Sequence, residues 1–121
     1  MKQTFPATLA GLEDCQRLLY SLCQDPKPQI ITDEIVSNIV RCSGSREFTV
    51  DFEQSANGEL TMQFIDQGVA FDPTAVAEPD VTLSVAERPI GGLGLMMVRR
   101  MARSVRYERR GNENILTVVL G

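Results

Sequence analysis

Histidine does not occur anywhere in the sequence. Its absence excludes triads and metal sites built on imidazole, as well as any role as a phosphate-accepting histidine. Cysteine is limited to Cys15, Cys23 and Cys42, an odd number at wide spacings with no Cys-x-x-Cys pair. That spacing disfavours a disulfide framework or a thiolate zinc site and points to free thiols in a reducing compartment. No run approaches the roughly 20 apolar residues of a membrane span, and Met1–Pro6 lacks the apolar core of a secretion signal. A cytoplasmic protein with no membrane partner is the expectation. Bases are also few, twelve against sixteen acids, for a net charge of -4 and a pI near 4.8. A generic electrostatic grip on nucleic acid is therefore not expected.

What is present suits one compact domain over residues 1–121. The 121 residues are 43% hydrophobic and 23% charged, and a chain of this size buries roughly two-thirds of its unfolded surface. Charge is unevenly placed: residues 1–98 carry a net of -8 and residues 99–121 a net of +4. The arginines concerned are Arg99, Arg100, Arg103, Arg106, Arg109 and Arg110. They read first as the solvated side of a helix and a strand, and second as a docking surface for an acidic protein. Only Tyr107 interleaves with them, which ranks nucleic acid third.

Hydrophobic spacing sets out the elements. Thr4-Phe5-Pro6 suits an edge strand, and Thr8 caps a helix to about Leu22 with Leu12, Cys15, Leu19 and Leu22 on one face. Asp25-Pro26-Lys27-Pro28 reads as a break, followed by a helix from about Gln29 to Cys42 with Ile31, Ile35, Val36, Ile39 and Val40 inward. Phe48, Val50 and Phe52, then Leu60, Met62 and Phe64, alternate as two strands around an Asn57-Gly58 turn. Residues 74–90 form a long stretch of weak periodicity, the signature of a lid. A third helix opens at Gly91-Gly92-Leu93-Gly94, and two strands, about Ser104–Arg109 and Ile115–Leu120, close the chain around Gly111-Asn112. Strands joined by hairpins imply an α+β two-layer sandwich: a mainly antiparallel sheet of four to five strands with three helices on one face.

Three places can carry chemistry. Glu34 and Asn38 lie four apart on the second helix, some 40° apart around it. An amide oxygen can hold Mg²⁺ and a carboxylate can take a proton from a hydroxyl, although such pairs are also ordinary on surface helices. Asp66-x-Gly68-x-Ala70-Phe71-Asp72-Pro73 follows an apolar strand. There Asp66 can accept the exocyclic amine of adenine while Gly68 lets the base approach, or the run is a plain turn. Gly91-Gly92-Leu93-Gly94 at a helix start offers backbone N–H groups to phosphate, or serves as a lid hinge. It is neither a P-loop, for want of Gly-Lys-Ser/Thr, nor a dinucleotide fingerprint, since Met97 stands at the third glycine.

In this order, Glu-x-x-x-Asn, Asp-x-Gly-x-x-Phe-Asp-Pro, a lid and Gly-Gly-Leu-Gly-Leu resemble the GHKL ATPases, the superfamily of gyrase, MutL and histidine kinases. The run Glu87-Arg88-Pro89-Ile90-Gly91-Gly92-Leu93-Gly94-Leu95, leading to Val105-Arg106-Tyr107-Glu108-Arg109, is similar to the bacterial anti-sigma-factor serine/threonine kinases. The resemblance implies the Bergerat ATP-binding fold, ATP and Mg²⁺ as cofactors, a sigma factor and a STAS-domain anti-anti-sigma protein as partners, and a homodimer. It implies Glu34 as catalytic base, Asn38 as the Mg²⁺ ligand, and Asp66 with Gly68, Ala70 and Phe71 around adenine. Gly91, Gly92, Leu93, Gly94 and Leu95 would serve the phosphates, Arg88 would contact a phosphate or the partner, and Asn114 or Thr117 would touch the nucleotide. Ala70 replaces the second glycine of the family's turn, and Cys42 stands where many relatives have histidine. An ATP- or ADP-binding module that switches partners without phosphoryl transfer is the alternative.

Overall fold

Residues 1–72 and 92–121 are described by the computed structural model, the second run with side chains from residue 96 onward. The stretch 74–90 expected as a lid, with Arg88 and Gly91, lies outside the described residues. Along the chain come β1 (Lys2–Pro6), α1 (Leu9–Leu22), α2 (Pro26–Asn38), a π-helical turn (Ile39–Ser43), β2 (Glu47–Gln54) and β3 (Leu60–Asp66). After the undescribed stretch follow α3 (Gly92–Met101), β4 (Ser104–Arg110) and β5 (Glu113–Leu120). In space the strands run β1-β2-β3-β5-β4, and each neighbouring pair is antiparallel. The expected α+β architecture is therefore the observed one, an open antiparallel sheet with its helices packed together.

Strand parity decides what meets the helices. In β3, Leu60, Met62, Phe64 and Asp66 are buried, whereas Thr61, Gln63 and Ile65 are partly exposed. Register carries the same parity to Phe48, Val50 and Phe52 of β2 and to Asn114, Leu116, Val118 and Leu120 of β5. The apolar members of this set share one core with Leu12, Cys15 and Leu19 of α1, Ile31, Ile35 and Val36 of α2, and Val98 of α3. Each fully buried Phe or Leu contributes about 1.5–3 kcal/mol. A one-residue slip would turn every inward side chain to solvent, so the register is strongly held.

Local chemistry explains the helix ends. Thr8 caps α1 by accepting a hydrogen bond from Gly11 N at 3.1 Å. Gly11 has to be glycine, because a Cβ there would lie 1.8 Å from the Pro6 carbonyl oxygen at the end of β1. The Asp25–Pro28 run is a break and also the start of α2. Asp25 accepts from Lys27 N at 3.0 Å, and Pro26 and Pro28 fall in the first turn, where their missing N–H groups have no intrahelical acceptor to lose. Consequently α2 begins three residues before the expected Gln29. Its α-helical part ends at Asn38, and Ile39–Ser43 widens into the π turn.

Candidate functional site

The inward row of β3 is apolar until its last member, Asp66, which is 7% exposed. A buried carboxylate is costly unless it is hydrogen-bonded. Here Oδ1 accepts from Gly68 N at 2.9 Å and from Asn114 Nδ2 at 3.0 Å. Register explains the second bond, since Asp66 faces Asn114 across the β3–β5 ladder. Asn114 is bonded on both sides of its amide. Its Nδ2 also donates to Val69 O at 2.9 Å, and its Oδ1 accepts from Phe71 N at 3.3 Å and from the Tyr107 hydroxyl at 2.5 Å. The second oxygen of Asp66 takes no hydrogen bond among the described residues.

The turn after Asp66 is stitched to the end of the π turn and the residues just beyond it. Val69 N donates to Ser43 O at 3.0 Å, and Gln67 N donates to Ser45 Oγ at 3.1 Å. A Cβ on Gly68 would fall 2.3 Å from Ser43 O and 2.5 Å from Ser43 Cβ. The space that the missing side chain leaves is thus filled by the protein's own backbone, a role the sequence analysis gave to the incoming base. Arg109 fastens the other side, its Nη1 donating to Gly68 O at 2.8 Å and its Nε to Gly111 O at 3.1 Å.

Upstream of this junction, α2 carries Glu34 and Asn38, both half-buried. Glu34 makes no hydrogen bond or ion pair among the described residues. Asn38 Oδ1 accepts from Arg41 Nη2 at 2.8 Å, while its Nδ2 is buried with no partner. Mg²⁺ takes oxygen ligands and keeps several waters, with few protein donors and the rest supplied by phosphate. The amide oxygen of Asn38 fits that requirement as a single protein donor, provided Arg41 releases the oxygen it now holds. Among the described residues no cluster of three or more acidic or cysteine side chains offers an alternative cage.

Gly92, Leu93, Gly94 and Leu95 form the first turn of α3, where backbone N–H groups lack intrahelical acceptors and the helix end carries partial positive charge. α3 packs against α2, which brings the glycine-opened helix beside the helix of Glu34 and Asn38. Ala70 and Phe71 are exposed on the turn beyond Asp66. Thr117 is not brought to this group. It lies on the opposite face of the sheet, where its hydroxyl accepts from Gln63 Nε2 at 3.3 Å. Parity separates Asn114 from Thr117, because Asn114 shares the inward row with Leu116, Val118 and Leu120. A polar residue interrupting that row was the available sequence signal. Sequence reasoning missed Tyr107, Arg41 and the role of Arg109, whose contacts depend on tertiary packing. Cys15 has its thiol pushed up to about 12 by burial in the core, away from this cluster.

A family model described as the histidine kinase-like ATPase domain matches residues 12–120. The serine/threonine-protein kinase BtrW of Bordetella bronchiseptica is 29% identical over 96 residues, which cover 74% of this chain and 65% of that protein. The chain therefore spans just under two thirds of that relative's length. No helix among the described residues is long and apolar enough to cross a membrane.

Proposed function

The chain belongs to the histidine kinase-like ATPase family, and from that premise we propose that it is an ATP-dependent serine/threonine protein kinase acting in the cytoplasm as an anti-sigma factor. In this reading it binds a sigma factor and phosphorylates a STAS-domain anti-anti-sigma protein. The observation that carries the reading is Asp66, a buried carboxylate at a strand end with one oxygen held by two donors and the other unclaimed. An ionised carboxylate only accepts hydrogen bonds, so the unclaimed oxygen suits the 6-amino group of adenine. The name of the Bordetella bronchiseptica relative, a serine/threonine-protein kinase, supports phosphoryl transfer to a hydroxyl.

Each residue then has a task. Asp66 orients the base, and the opening turn of α3 directs main-chain N–H groups at the phosphates. Glu34 lacks a partner of its own and receives the proton of the substrate hydroxyl. That hydroxyl oxygen forms a bond to the γ-phosphorus as the bond from phosphorus to the departing ADP oxygen breaks. Asn38, with Glu34 nearby, would hold Mg²⁺, which when bound neutralises charge on the phosphates. Catalysis of this kind rests on positioning and electrostatic stabilisation more than on covalent chemistry by the protein.

The test is incubation with radiolabelled ATP and a STAS-domain partner, beside calorimetric titration with Mg·ATP. Phosphoprotein formed by the wild type and lost in Glu34→Ala is the expected result. ATP binding without any phosphoprotein would replace this reading with the non-catalytic partner-switching module.

A further inference from the structure

We propose that β4 is a docking edge for an acidic, extended segment of another protein, which joins the sheet as an added strand beside Arg106. The proposal concerns the rim of the sheet, goes beyond the nucleotide reading and does not depend on it.

The two rims of the sheet differ. In the order β1-β2-β3-β5-β4, neither β1 nor β4 has a second neighbouring strand among the described residues. β1 is five residues long and ends in Pro6, which has no N–H to offer. β4 runs for seven residues, Ser104–Arg110, without proline or glycine. It pairs with β5 one residue to one, from Ser104↔Val119 to Arg110↔Glu113, so no bulge breaks its rim. In an antiparallel pair, every second residue turns its N–H and C=O away from the neighbour. Such a regular row of free main-chain groups is what strand addition uses.

Edges are commonly guarded by charge, and the guard on β4 has a sign. The strand sets three arginines against one glutamate, a net of +2, on a chain whose overall charge is -4. Like charge turns basic edges away and leaves acidic ones admissible. A second copy of β4 would double the excess of arginine at the contact, whereas an acidic segment cancels it. Of the three arginines, Arg109 is committed to the carbonyls of Gly68 and Gly111. Arg110 donates to both oxygens of Glu108, at 3.0 and 3.2 Å, and faces Glu113 across the ladder. Arg106 is exposed opposite Thr117, with no hydrogen bond or ion pair among the described residues. It is the anchor. An incoming strand therefore sets a carboxylate opposite Arg106 and a base opposite Glu108, two positions apart on the outer face. The residue between them lies opposite half-buried Tyr107, which packs against the core, and is apolar.

The experiment uses the fluorescein-labelled, end-blocked peptide Thr-Glu-Val-Lys-Val-Glu-Thr, whose symmetry suits either strand direction. Anisotropy is read with the full chain at low salt. The charge-inverted peptide Thr-Lys-Val-Glu-Val-Lys-Thr should bind about ten-fold more weakly. Arg106→Glu should weaken the first peptide and strengthen the second, with circular dichroism reporting its fold. Two further peptides carry N-methyl groups on one or the other set of alternate residues, and these need no protein variant. Strand addition predicts that one set abolishes binding and the other leaves it within about three-fold. Equal binding of both charge forms, equal sensitivity to the two methylated sets, or no binding by the wild type would overturn the proposal. So would a DNA oligonucleotide that displaces the peptide at equal concentration, or a wild-type dimer in sedimentation that Arg106→Glu dissociates. None of these outcomes touches ATP binding at Asp66, and a chain that binds the peptide but not ATP would keep this proposal while losing that reading.

Discussion

Asp66 and Asn38 are polar side chains with buried atoms at the ends of β3 and α2, yet their surroundings are opposite. Around Asp66, the amide of Asn114 has partners at both ends, the turn that follows is bonded to Ser43 and Ser45, and Arg109 closes the outside. Around Asn38, one amide nitrogen has no partner, the oxygen is held by a single exposed arginine, and Glu34 stands without a bond among the described residues. The first region is finished by the protein itself. The second is left incomplete, and an unsatisfied buried donor carries a cost of about 1–3 kcal/mol that a bound phosphate can remove. On the proposed reading, one end of the site recognises the base and the other is completed by the ligand that binds there.

The contrast can be broken most sharply at Glu34. Replacing it by glutamine should lower phosphoryl transfer by about 10²–10⁴-fold, with calorimetric ATP affinity close to wild type. A parallel loss of affinity would make this carboxylate a binding group and erase the division between the two ends. Asp66→Asn should do the reverse, weakening ATP by about 10- to 100-fold in the same titration, because its second position would then offer an amide donor to the base amine. Gly68→Ala probes how tightly the finished region is packed. With Ser43 O only 2.3 Å from the new Cβ, thermal unfolding should show a loss of about 1–3 kcal/mol.

Smaller effects sharpen the picture on the incomplete side. Arg41→Ala removes the group that competes for Asn38 Oδ1, so the Mg²⁺ concentration needed for half-maximal ATP binding should fall about two- to five-fold, the scale of an exposed polar contact. The melting temperature should barely move. Cys15 offers an internal control remote from both regions. Its raised thiol keeps the proton in the folded state while the unfolded state loses it, so stability present below about pH 9 should decline as pH rises toward about 12. A thiol reagent near pH 8 should label exposed Cys42 rapidly and Cys15 only on unfolding.

Much of the architecture could be read before any coordinates. Thr8 as a cap, the alternation of Phe48, Val50 and Phe52, and the turns at Asn57-Gly58 and Gly111-Asn112 all depend on neighbours a few residues away. The Asp25–Pro28 run was only half legible, since proline reads as a breaker unless the capping role of Asp25 places it in a first turn. In the candidate site, Asp66 stood out as a carboxylate closing an apolar strand, and Glu34 and Asn38 as a helical pair. Asn114 and Thr117 stood as equal alternatives, and strand parity places them on opposite faces of the sheet. The partners of Gly68, Asn114 and Asn38 were a different matter. Ser43 lies in a π turn that no periodicity announced, and Tyr107 reaches Asn114 across a hairpin and a step of register.

By itself, then, the sequence determined the succession of helices and hairpins, the inward row of each strand, and the chemical types on which the proposed nucleotide site draws. Repeats of 2 and 3.6 residues are short-range properties of a chain, and they survive in a one-dimensional reading. Tertiary structure alone decided that Gly68 makes room for Ser43, that Asn114 is held from both ends, and that the amide nitrogen of Asn38 is left without a partner. Those contacts join residues far apart along the chain, and each exists only where strand register and helix packing bring two surfaces to within an ångström or so of the required distance.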